Sequence, residues 1–214
     1  YSPDGRTPYN EIKQLPPGHF IHQGIVHRYW DWDKIQTNNL YDDMKRSVEL
    51  RLGGQREVSM LLSGGLDSTI IHGLLKELGR DVKTIHVENH EKDFAHLVSE
   101  QLVDVVLDDV TDEEAIRIHQ SPVDLGSVKP QIAMARKLRE LGFYAVMTGD
   151  GADELFGGYR RAKEYDSQHS DTFAELPYYH LPKLDRTMMY STIELRAPFL
   201  SPTIVKHALD TPYD

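Results

Sequence analysis

The sequence predicts an α/β fold with a doubly wound parallel sheet and helices on both faces. Short apolar runs typical of buried strands alternate with longer segments whose apolar residues recur at helical spacing. Two of the predicted strands are each followed by a glycine-rich turn that carries acidic residues. Alternating strands and helices are typical of parallel sheets, in which ligands bind beyond the carboxyl ends of the strands. We therefore expect both turns to face one crevice.

The first of these turns joins an apolar strand to a helix. The run Val58 to Leu62 is broken by S-G-G, and apolar residues recur at helical spacing from Leu66 onward. Glycines let the backbone approach an anion closely, and the following helix offers unpaired N–H groups and the positive end of its dipole. Asp67 would repel a bound phosphate unless a cation lay between them, which implies Mg²⁺.

The letters S-G-G-L-D-S resemble the pyrophosphate loop of the ATP pyrophosphatases, enzymes that cleave ATP between its α- and β-phosphates. The lysine of the common G-x-x-x-x-G-K-[ST] phosphate loop is absent from this turn. A glycine turn with a serine cap on a helix is the alternative structural interpretation. The residues that carry the resemblance are Ser63, Gly64, Gly65, Asp67 and Ser68.

The second turn follows the apolar strand predicted over residues 143–147. It reads T-G-D-G-A-D-E from Thr148 to Glu154, with three acids around two glycines. Asp153 is the acid that we expect to complete a magnesium site with Asp67, because Mg²⁺ prefers one or two carboxylates together with phosphate oxygens. An acidic surface turn is the alternative interpretation.

The remaining segments follow the same patterns. Turn residues between apolar runs predict a short hairpin near residues 18–26. Periodicity predicts helices over residues 39–51, 91–102 and 131–141, and strands over residues 82–87 and 105–107. In the second of these helices we expect Phe94, Leu97, Val98 and Leu102 to face inward. Residues 122–130, bounded by two prolines, are expected to form a loop.

Composition excludes several classes of function. The 214 residues carry a formal net charge of -10, which argues against a general nucleic-acid-binding protein. The chain has no cysteine, so neither a disulfide nor a cysteine nucleophile can form. No apolar run reaches the ~18 residues of a membrane span, and we identify no signal peptide. We expect a cytoplasmic protein with no nucleic-acid or membrane partner.

Three motifs together resemble the glutamine-dependent asparagine synthetases. S-G-G-L-D-S, G-D-G-A-D-E-L-F-G-G-Y and D-R-T-M-M-Y-S-T-I-E-L-R-A-P-F-L occur in the order of that family. The resemblance implies the ATP pyrophosphatase fold, which is of the adenine nucleotide alpha hydrolase type. Earlier, E-I-K-Q-L-P-P-G-H-F and R-Y-W-D resemble the tail of the family's glutaminase domain and the linker beyond it.

The resemblance divides the chain in two. Residues 1–33 are expected to be an N-terminal arm that remains from the glutaminase tail and linker, and residues 34–214 the synthetase domain. The family normally carries a longer helical stretch between Tyr165 and Asp185, and continues well beyond Leu200. We therefore expect a synthetase domain that is trimmed at its C-terminal side.

The resemblance also implies an activity and a set of site residues. Members activate the aspartate side-chain carboxylate with MgATP, release pyrophosphate, and let ammonia displace AMP to give asparagine. By motif, Asp67 and Asp153 would bind Mg²⁺, and Asp150 and Arg186 would be catalytic. Many members have Glu at the position of Asp150, and some have Lys at that of Arg186. The expected adenosine contacts are Leu62, Val87, Thr148 and Gly149, and the five residues of the first turn would hold the pyrophosphate.

The expected partners are therefore ATP, aspartate and ammonia, with a separate glutaminase domain or subunit as one source of ammonia. A homodimer is one assembly that the resemblance allows. Two other functions stay open from the sequence. One is a related adenylating ligase or cyclase that acts on another carboxylate, such as a β-lactam- or peptide-cyclising enzyme. The other is a nucleotide-binding module without turnover.

Overall fold

The chain folds around a five-stranded parallel sheet. The computed structural model describes residues 6–7, 9–54, 57–87, 92–99, 102–121, 123–159 and 168–212. A separate antiparallel hairpin comes first, with strands β1 (His19–His22) and β2 (Ile25–Arg28), as the turn residues predict. The strands of the sheet are β3 (Val58–Leu61), β4 (Thr84–Val87), β5 (Leu102–Val105), β6 (Ala145–Met147) and β7 (Glu194–Arg196).

The sheet is doubly wound, which confirms the predicted fold class. Its strand order is β5-β4-β3-β6-β7, and the neighbouring strands pair in parallel. The chain first builds outward from β3 to β5, then returns to place β6 on the other side of β3. The order therefore reverses between β3 and β6, and a crevice outside the carboxyl ends of the strands is expected at such a point.

Helices cover both faces of the sheet. Those before β4 are α1 (Leu40–Leu50) and α2 (Leu66–Glu77), and those between β4 and β6 are α3 (Lys92–Val98), α4 (Asp112–His119) and α5 (Leu125–Glu140). After β6 come α6 (Ala152–Phe156), α7 (Gln168–Glu175), α8 (Leu181–Tyr190) and α9 (Pro202–Asp210). One core packs α1, α2 and α9 against Met60 and Met147, and the other packs α5 and α8 against Ile85 and Val146.

A wide helical turn joins α7 to α8. Residues Leu176–His180 form a π-helix, in which the amide of Leu181 donates to the carbonyl of Leu176. Pro182 follows directly and cannot donate a backbone hydrogen bond of its own. The helical run from α7 to α8 is therefore continuous but carries one widened turn in its middle.

Two predicted segments have different boundaries in the structure. The helix expected over residues 91–102 is α3, which ends at Val98, and the strand expected over residues 105–107 is β5, which runs from Leu102 to Val105. The inward orientation predicted for Phe94 and Leu97 is wrong, because these side chains are 61% and 82% exposed. Residue 91 lies outside the described residues.

The loop predicted over residues 122–130 is also wrong for most of its length. Helix α5 begins at Leu125, where the Asp124 carboxylate accepts a hydrogen bond from the amide of Gly126, and it passes through Pro130. Proline in a helix removes one backbone hydrogen bond. The buried residues Val128 and Ile132 flank Pro130 and anchor the helix on both sides of it.

In the part of the chain that the structure describes, no helix has both the length and the apolar character that crossing a membrane would require.

Candidate active site at the reversal of strand order

The two glycine-rich turns meet at the carboxyl edge of the sheet. One follows β3 and the other follows β6, and these strands are hydrogen-bonded neighbours. Contact between the turns is close at Gly149. A Cβ atom added there would lie 3.0 Å from the Cβ of Asp67 and 3.3 Å from the amide nitrogen of Ser68. Only a glycine allows this approach without a shift of the first turn.

The first turn leaves the N-terminus of α2 open to a ligand. Gly64 has φ +89°, a conformation that glycine adopts readily. The Ser63 hydroxyl accepts a hydrogen bond from the Gly65 amide at 3.1 Å and contacts the Ser68 hydroxyl at the same distance. Gly65 is the N-cap residue of α2, and it has no side chain to satisfy the first amides. These amides are the kind of donors that bind phosphate at helix N-termini.

The second turn is held in place by contacts of its backbone. Gly151 has φ +96°, and a Cβ atom there would lie 2.4 Å from the Leu200 side chain. Helix α6 starts at the next residue and carries Asp153 and Glu154 in its first turn. A Cβ atom on Gly158 would lie 1.9 Å from Oδ1 of Asp153, so the Asp153 carboxylate rests directly against the Gly158 backbone.

The acids of both turns repel one another. Burial raises the pKa of Asp67, and the charges of Asp153 and Glu154 raise it further. The pKa of Asp153 is raised by burial and by the charge of Glu154. The charges of the second turn therefore act on Asp67 in the first. A cation between them would remove this cost, because an opposite charge favours the ionised form.

Asp67 and Asp153 fit a magnesium ion that arrives with a phosphate ligand. Within the described ranges, no group of three or more His, Asp or Glu side chains is arranged to hold a metal by itself. Mg²⁺ is commonly held by one or two carboxylates, with waters and phosphate oxygens completing its coordination. The donor set of this site therefore matches that mode of binding.

Asp150 has a different environment from the other acids. Burial raises its pKa, and the charge of Glu154 acts in the same direction. A hydrogen bond with Thr148 and the charges of Lys183 and His180 oppose this shift in the pKa. Asp150 therefore interacts with the acidic side chain of Glu154 and with two basic side chains, His180 of the π-helical turn and Lys183 of α8.

Glu154 is a buried acid with structural partners, and the sequence assigned it no role. Its side chain accepts a hydrogen bond from the Tyr159 hydroxyl at 2.7 Å, and His180 Nδ1 lies 3.2 Å from the same oxygen. Its residue is only 6% exposed. These contacts tie the second turn to the π-helical turn that precedes α8.

The predicted nucleoside contacts lie at the ends of three neighbouring strands. The Leu62 amide donates to the Ile85 carbonyl at 2.9 Å, and Val87 ends β4. Thr148 is buried and its amide donates to the Arg196 carbonyl at 3.0 Å. These positions, with Gly149, share the carboxyl edge with both turns. Their role as adenosine contacts stays a prediction.

Arg186 is engaged with another part of the chain. Its Nη1 donates to the His119 carbonyl at 3.1 Å and to the Ser121 hydroxyl at 2.8 Å, beyond the end of α4. The basic side chain of α8 that acts on Asp150 is Lys183, one turn earlier. Sequence reasoning missed Lys183, although its place beside Leu184 and one turn before Thr187 puts it on the buried face of an amphipathic helix.

Glu194 and Arg196 form an ion pair within the third motif of the sequence. Arg196 Nε lies 2.9 Å from Glu194 Oε1, and Nη1 donates to the carbonyls of Arg51 and Gly53. These residues lie in β7, and the contacts of Arg196 hold this edge strand to the segment before β3.

Comparison with known proteins agrees with the motifs. The family model described as "Asparagine synthase" matches residues 39–177. The chain is 27% identical to asparagine synthetase B [glutamine-hydrolyzing] of Escherichia coli (strain K12), in an alignment that covers 88% of this chain and 42% of that protein. It is 24% identical to a probable asparagine synthetase [glutamine-hydrolyzing] of Schizosaccharomyces pombe, with 94% and 45% covered. Asparagine synthetase [glutamine-hydrolyzing] 2 of Oryza sativa subsp. japonica is also 24% identical, with 92% and 40% covered. The chain thus spans less than half the length of these relatives.

Proposed function

Because the chain belongs to the asparagine synthase family, we propose that it is an ATP-dependent, AMP-forming amide ligase that makes asparagine from aspartate and ammonia. The observation that carries this proposal is the contact between the two acidic glycine turns at Gly149. It gives one crevice a phosphate-binding helix N-terminus, a pair of carboxylates suited to a metal ion and the partly buried Asp150.

In the first step, the aspartate side-chain carboxylate attacks the α-phosphorus of ATP. A new bond forms between a carboxylate oxygen and phosphorus, the bond to the bridging oxygen of the β-phosphate breaks, and pyrophosphate leaves. Ser63, Ser68 and the first amides of α2 bind the departing pyrophosphate. Asp67 and Asp153 would hold Mg²⁺, which supplies positive charge to neutralise the phosphate oxygens. Alignment and charge neutralisation account for most of the catalysis in this scheme.

In the second step, ammonia attacks the acyl carbon of β-aspartyl-AMP. A carbon–nitrogen bond forms, the anhydride bond between the acyl carbon and the phosphate oxygen breaks, and AMP leaves. The nitrogen must lose a proton to become the neutral amide. Asp150 is the group that we assign to accept it, because burial and Glu154 raise its pKa and make its carboxylate a stronger base than an ordinary aspartate.

The test is pyrophosphate release by the purified chain with MgATP and a panel of carboxylic acids. Aspartate should release pyrophosphate, and added ammonium should give equal amounts of AMP and asparagine. Release with another carboxylate alone would identify a different ligase or cyclase. Nucleotide binding without AMP formation from any carboxylate would show that the proposal is wrong and would favour a binding module.

The nitrogen donor gives a second test. Glutamine should not replace ammonium for this 214-residue chain, because the chain has no cysteine to attack the glutamine amide. The relatives named above are described as glutamine-hydrolyzing, so we propose that a glutaminase domain or subunit provides ammonia. Asparagine formed from glutamine by this chain alone would contradict the inference. A homodimer and a cytoplasmic location stay predictions.

A further inference from the structure

Lys183 is a buried lysine that has no acidic partner at bonding distance among the described residues. It is 8% exposed, and no carboxylate oxygen of the described residues lies within 4.0 Å of its Nζ. Its closest polar contact is the Ser127 hydroxyl at 3.4 Å, and Nζ lies 5.1 Å from the centroid of the Tyr179 ring. A buried ammonium costs free energy unless it is paired and hydrogen-bonded. These weak contacts leave it able to bind an anion.

A small cavity lies beside Lys183. It has a volume of ≈ 70 Å³ and also borders Gln131, Asp150, Glu154 and His180. This is several times the ~10–15 Å³ that one water needs by a similar measure. The cavity therefore has room for the charged head group of a small ligand, and its walls carry both acidic and basic side chains.

The neighbouring helix end favours an anion at the same place. Ser127, whose hydroxyl contacts Lys183, lies in the first turn of α5, a helix of 16 residues whose N-terminus carries the positive end of the helix dipole. Asp124 caps only the Gly126 amide among these groups. The buried lysine and the helix N-terminus thus act in the same direction on a bound carboxylate.

The cavity is separate from the predicted pyrophosphate turn. Among the described residues that line it, none belongs to residues 62–68. A ligand here meets the second turn and α8 instead. The carboxylate that is adenylated must reach the α-phosphate at the first turn, so an anion beside Lys183 is a different group of the substrate.

We propose that Lys183 binds the second carboxylate of the amino-acid substrate, the α-carboxylate of aspartate. In this arrangement Asp150 and Glu154 lie near the α-ammonium group of the bound aspartate. This inference rests on the proposed function and extends it to substrate recognition. It explains why the site would require a dicarboxylic amino acid. Lys183 is then a binding residue that selects the acyl substrate, and Arg186 is not needed for this role.

The test removes the charge from the protein and, separately, the carboxylate from the ligand. β-Alanine is aspartate without its α-carboxylate. Binding of each is measured by titration calorimetry in the presence of Mg²⁺ and α,β-methylene-ATP, which cannot be cleaved between its α- and β-phosphates. The variants are Lys183→Met, which keeps the length and apolar stem, and Lys183→Arg, which keeps the charge. Lys129→Met is the matched control, because Lys129 lies on α5, the helix of Ser127, but outside the cavity. Its amine pairs with Asp112 of α4.

We expect Lys183→Met to weaken aspartate binding by about 10- to 100-fold, the usual worth of a hydrogen bond to a charged group. β-Alanine binding should change less than about twofold, and so should nucleotide affinity. Lys183→Arg should retain part of the aspartate affinity, and Lys129→Met all of it. Thermal unfolding checks that the variants are folded, and removal of a buried charge should not lower their stability.

Three results would overturn the inference. They are unchanged aspartate affinity in Lys183→Met, equal losses for aspartate and β-alanine, and a wild-type chain that fails to prefer aspartate over β-alanine. The binding measurement does not depend on turnover. A wild-type chain that binds aspartate through Lys183 but releases no pyrophosphate from MgATP would therefore refute the proposed function and leave this inference standing.

Discussion

Gly149 determines how closely the two turns of the site approach, and its replacement by alanine tests the geometry directly. The added Cβ would lie 3.0 Å from the Asp67 Cβ. Carbon atoms in good contact are about 3.5–4.0 Å apart. The Gly149→Ala change must therefore move Asp67, the second turn, or both, by about 0.5–1 Å.

Activity and stability are both expected to fall, by comparable free energies. A misplacement of about 1 Å can reduce a rate about 10²-fold, so we expect pyrophosphate release to fall about 10- to 100-fold, or about 1.4–2.7 kcal/mol in the activation barrier. Overpacking typically costs about 1–3 kcal/mol of folding free energy. For a chain of this length that corresponds to a melting temperature roughly 2–12 °C lower, and the protein stays folded at 25 °C.

Gly73→Ala is the matched control. Gly73 lies inside α2, the helix that follows the first turn, and an added Cβ there meets nothing within 4 Å. Alanine should stabilise this helix by roughly 0.5–1 kcal/mol and leave the rate unchanged. The assay is aspartate-dependent pyrophosphate release, run beside thermal unfolding. If Gly149→Ala keeps the wild-type rate, the contact between the turns does not position the reacting groups, and the reasoning is refuted.

Three further changes test other contacts. Asp67→Asn should abolish pyrophosphate release by removing a magnesium ligand. Burial and neighbouring acids raise the pKa of Asp67, so the ligand-free native state binds the Asp67 proton more tightly than the unfolded chain does. The stability of the wild type therefore falls as pH rises from the ordinary pKa of an aspartate through the raised pKa of Asp67. The Asn variant should therefore exceed the wild type in stability at pH 7, and lose that advantage in denaturant titrations carried out below the ordinary pKa of an aspartate; an advantage that does not depend on pH would contradict this. Gly158→Ala should force the Asp153 carboxylate to turn, since the added Cβ would lie 1.9 Å from its Oδ1, and about tenfold more Mg²⁺ should then be needed for half-maximal activity; an unchanged requirement would argue against Asp153 as a ligand. Asp43→Ala should cost about 2–4 kcal/mol in urea unfolding at pH 7, because buried Asp43 bonds His207 Nε2 at 2.9 Å and joins α1 to α9. Burial raises the pKa of Asp43 but its hydrogen bonds lower it overall, so this stability is present at neutral pH and is lost as pH falls through the depressed pKa; a loss below 0.5 kcal/mol at pH 7 would show that this pair does not stabilise the fold.

The order of strands and turns could be predicted because it depends on local patterns. Apolar runs and helical periodicity predict β3, α2 and β6 with ends within a residue or two of those observed. The rule that ligands bind beyond the carboxyl ends of parallel strands then brings both turns to one edge. Their adjacency further requires β3 to pair with β6, and that pairing is a property of the whole sheet.

The errors have separate physical causes. Helix α5 was predicted to start after Pro130, because proline usually marks a helix boundary. The cap at Asp124 and the buried side chains on both sides of Pro130 outweigh the one lost hydrogen bond. The end of α3 was misplaced because Phe94 and Leu97 continue an apolar pattern, although both face solvent.

Lys183 could not be identified as a site residue from its local sequence. Lysine is usually exposed, and nothing in L-P-K-L-D-R places it beside the acids of a turn some thirty residues earlier. Only the packing of α8 against α5, with Thr187 Oγ1 3.4 Å from Gln131 Oε1, brings it to Asp150. The resemblance to the family motif drew attention to Arg186 instead, whose guanidinium donates a hydrogen bond to the His119 carbonyl at the end of α4.

The direction in which the side chains of α8 point depends on the number of residues in the helical run before it, which includes the widened turn at Leu176–His180. Each residue of an α-helix turns the chain by about 100° and advances it about 1.5 Å. Deleting one residue from this turn would restore regular α winding with α8 still facing the same way, because the widened turn holds about one residue more than an α-turn. Adding or removing a residue in the regular helix on either side of the turn, before Lys183, would instead rotate the side chain at 183 by about 100° around the helix axis. Natural or designed insertions elsewhere in loops would leave the amine where it is. The turn itself contributes Leu176 and His180 to the cavity wall, so the same five residues shape the cavity and set the direction of the helix that carries the amine.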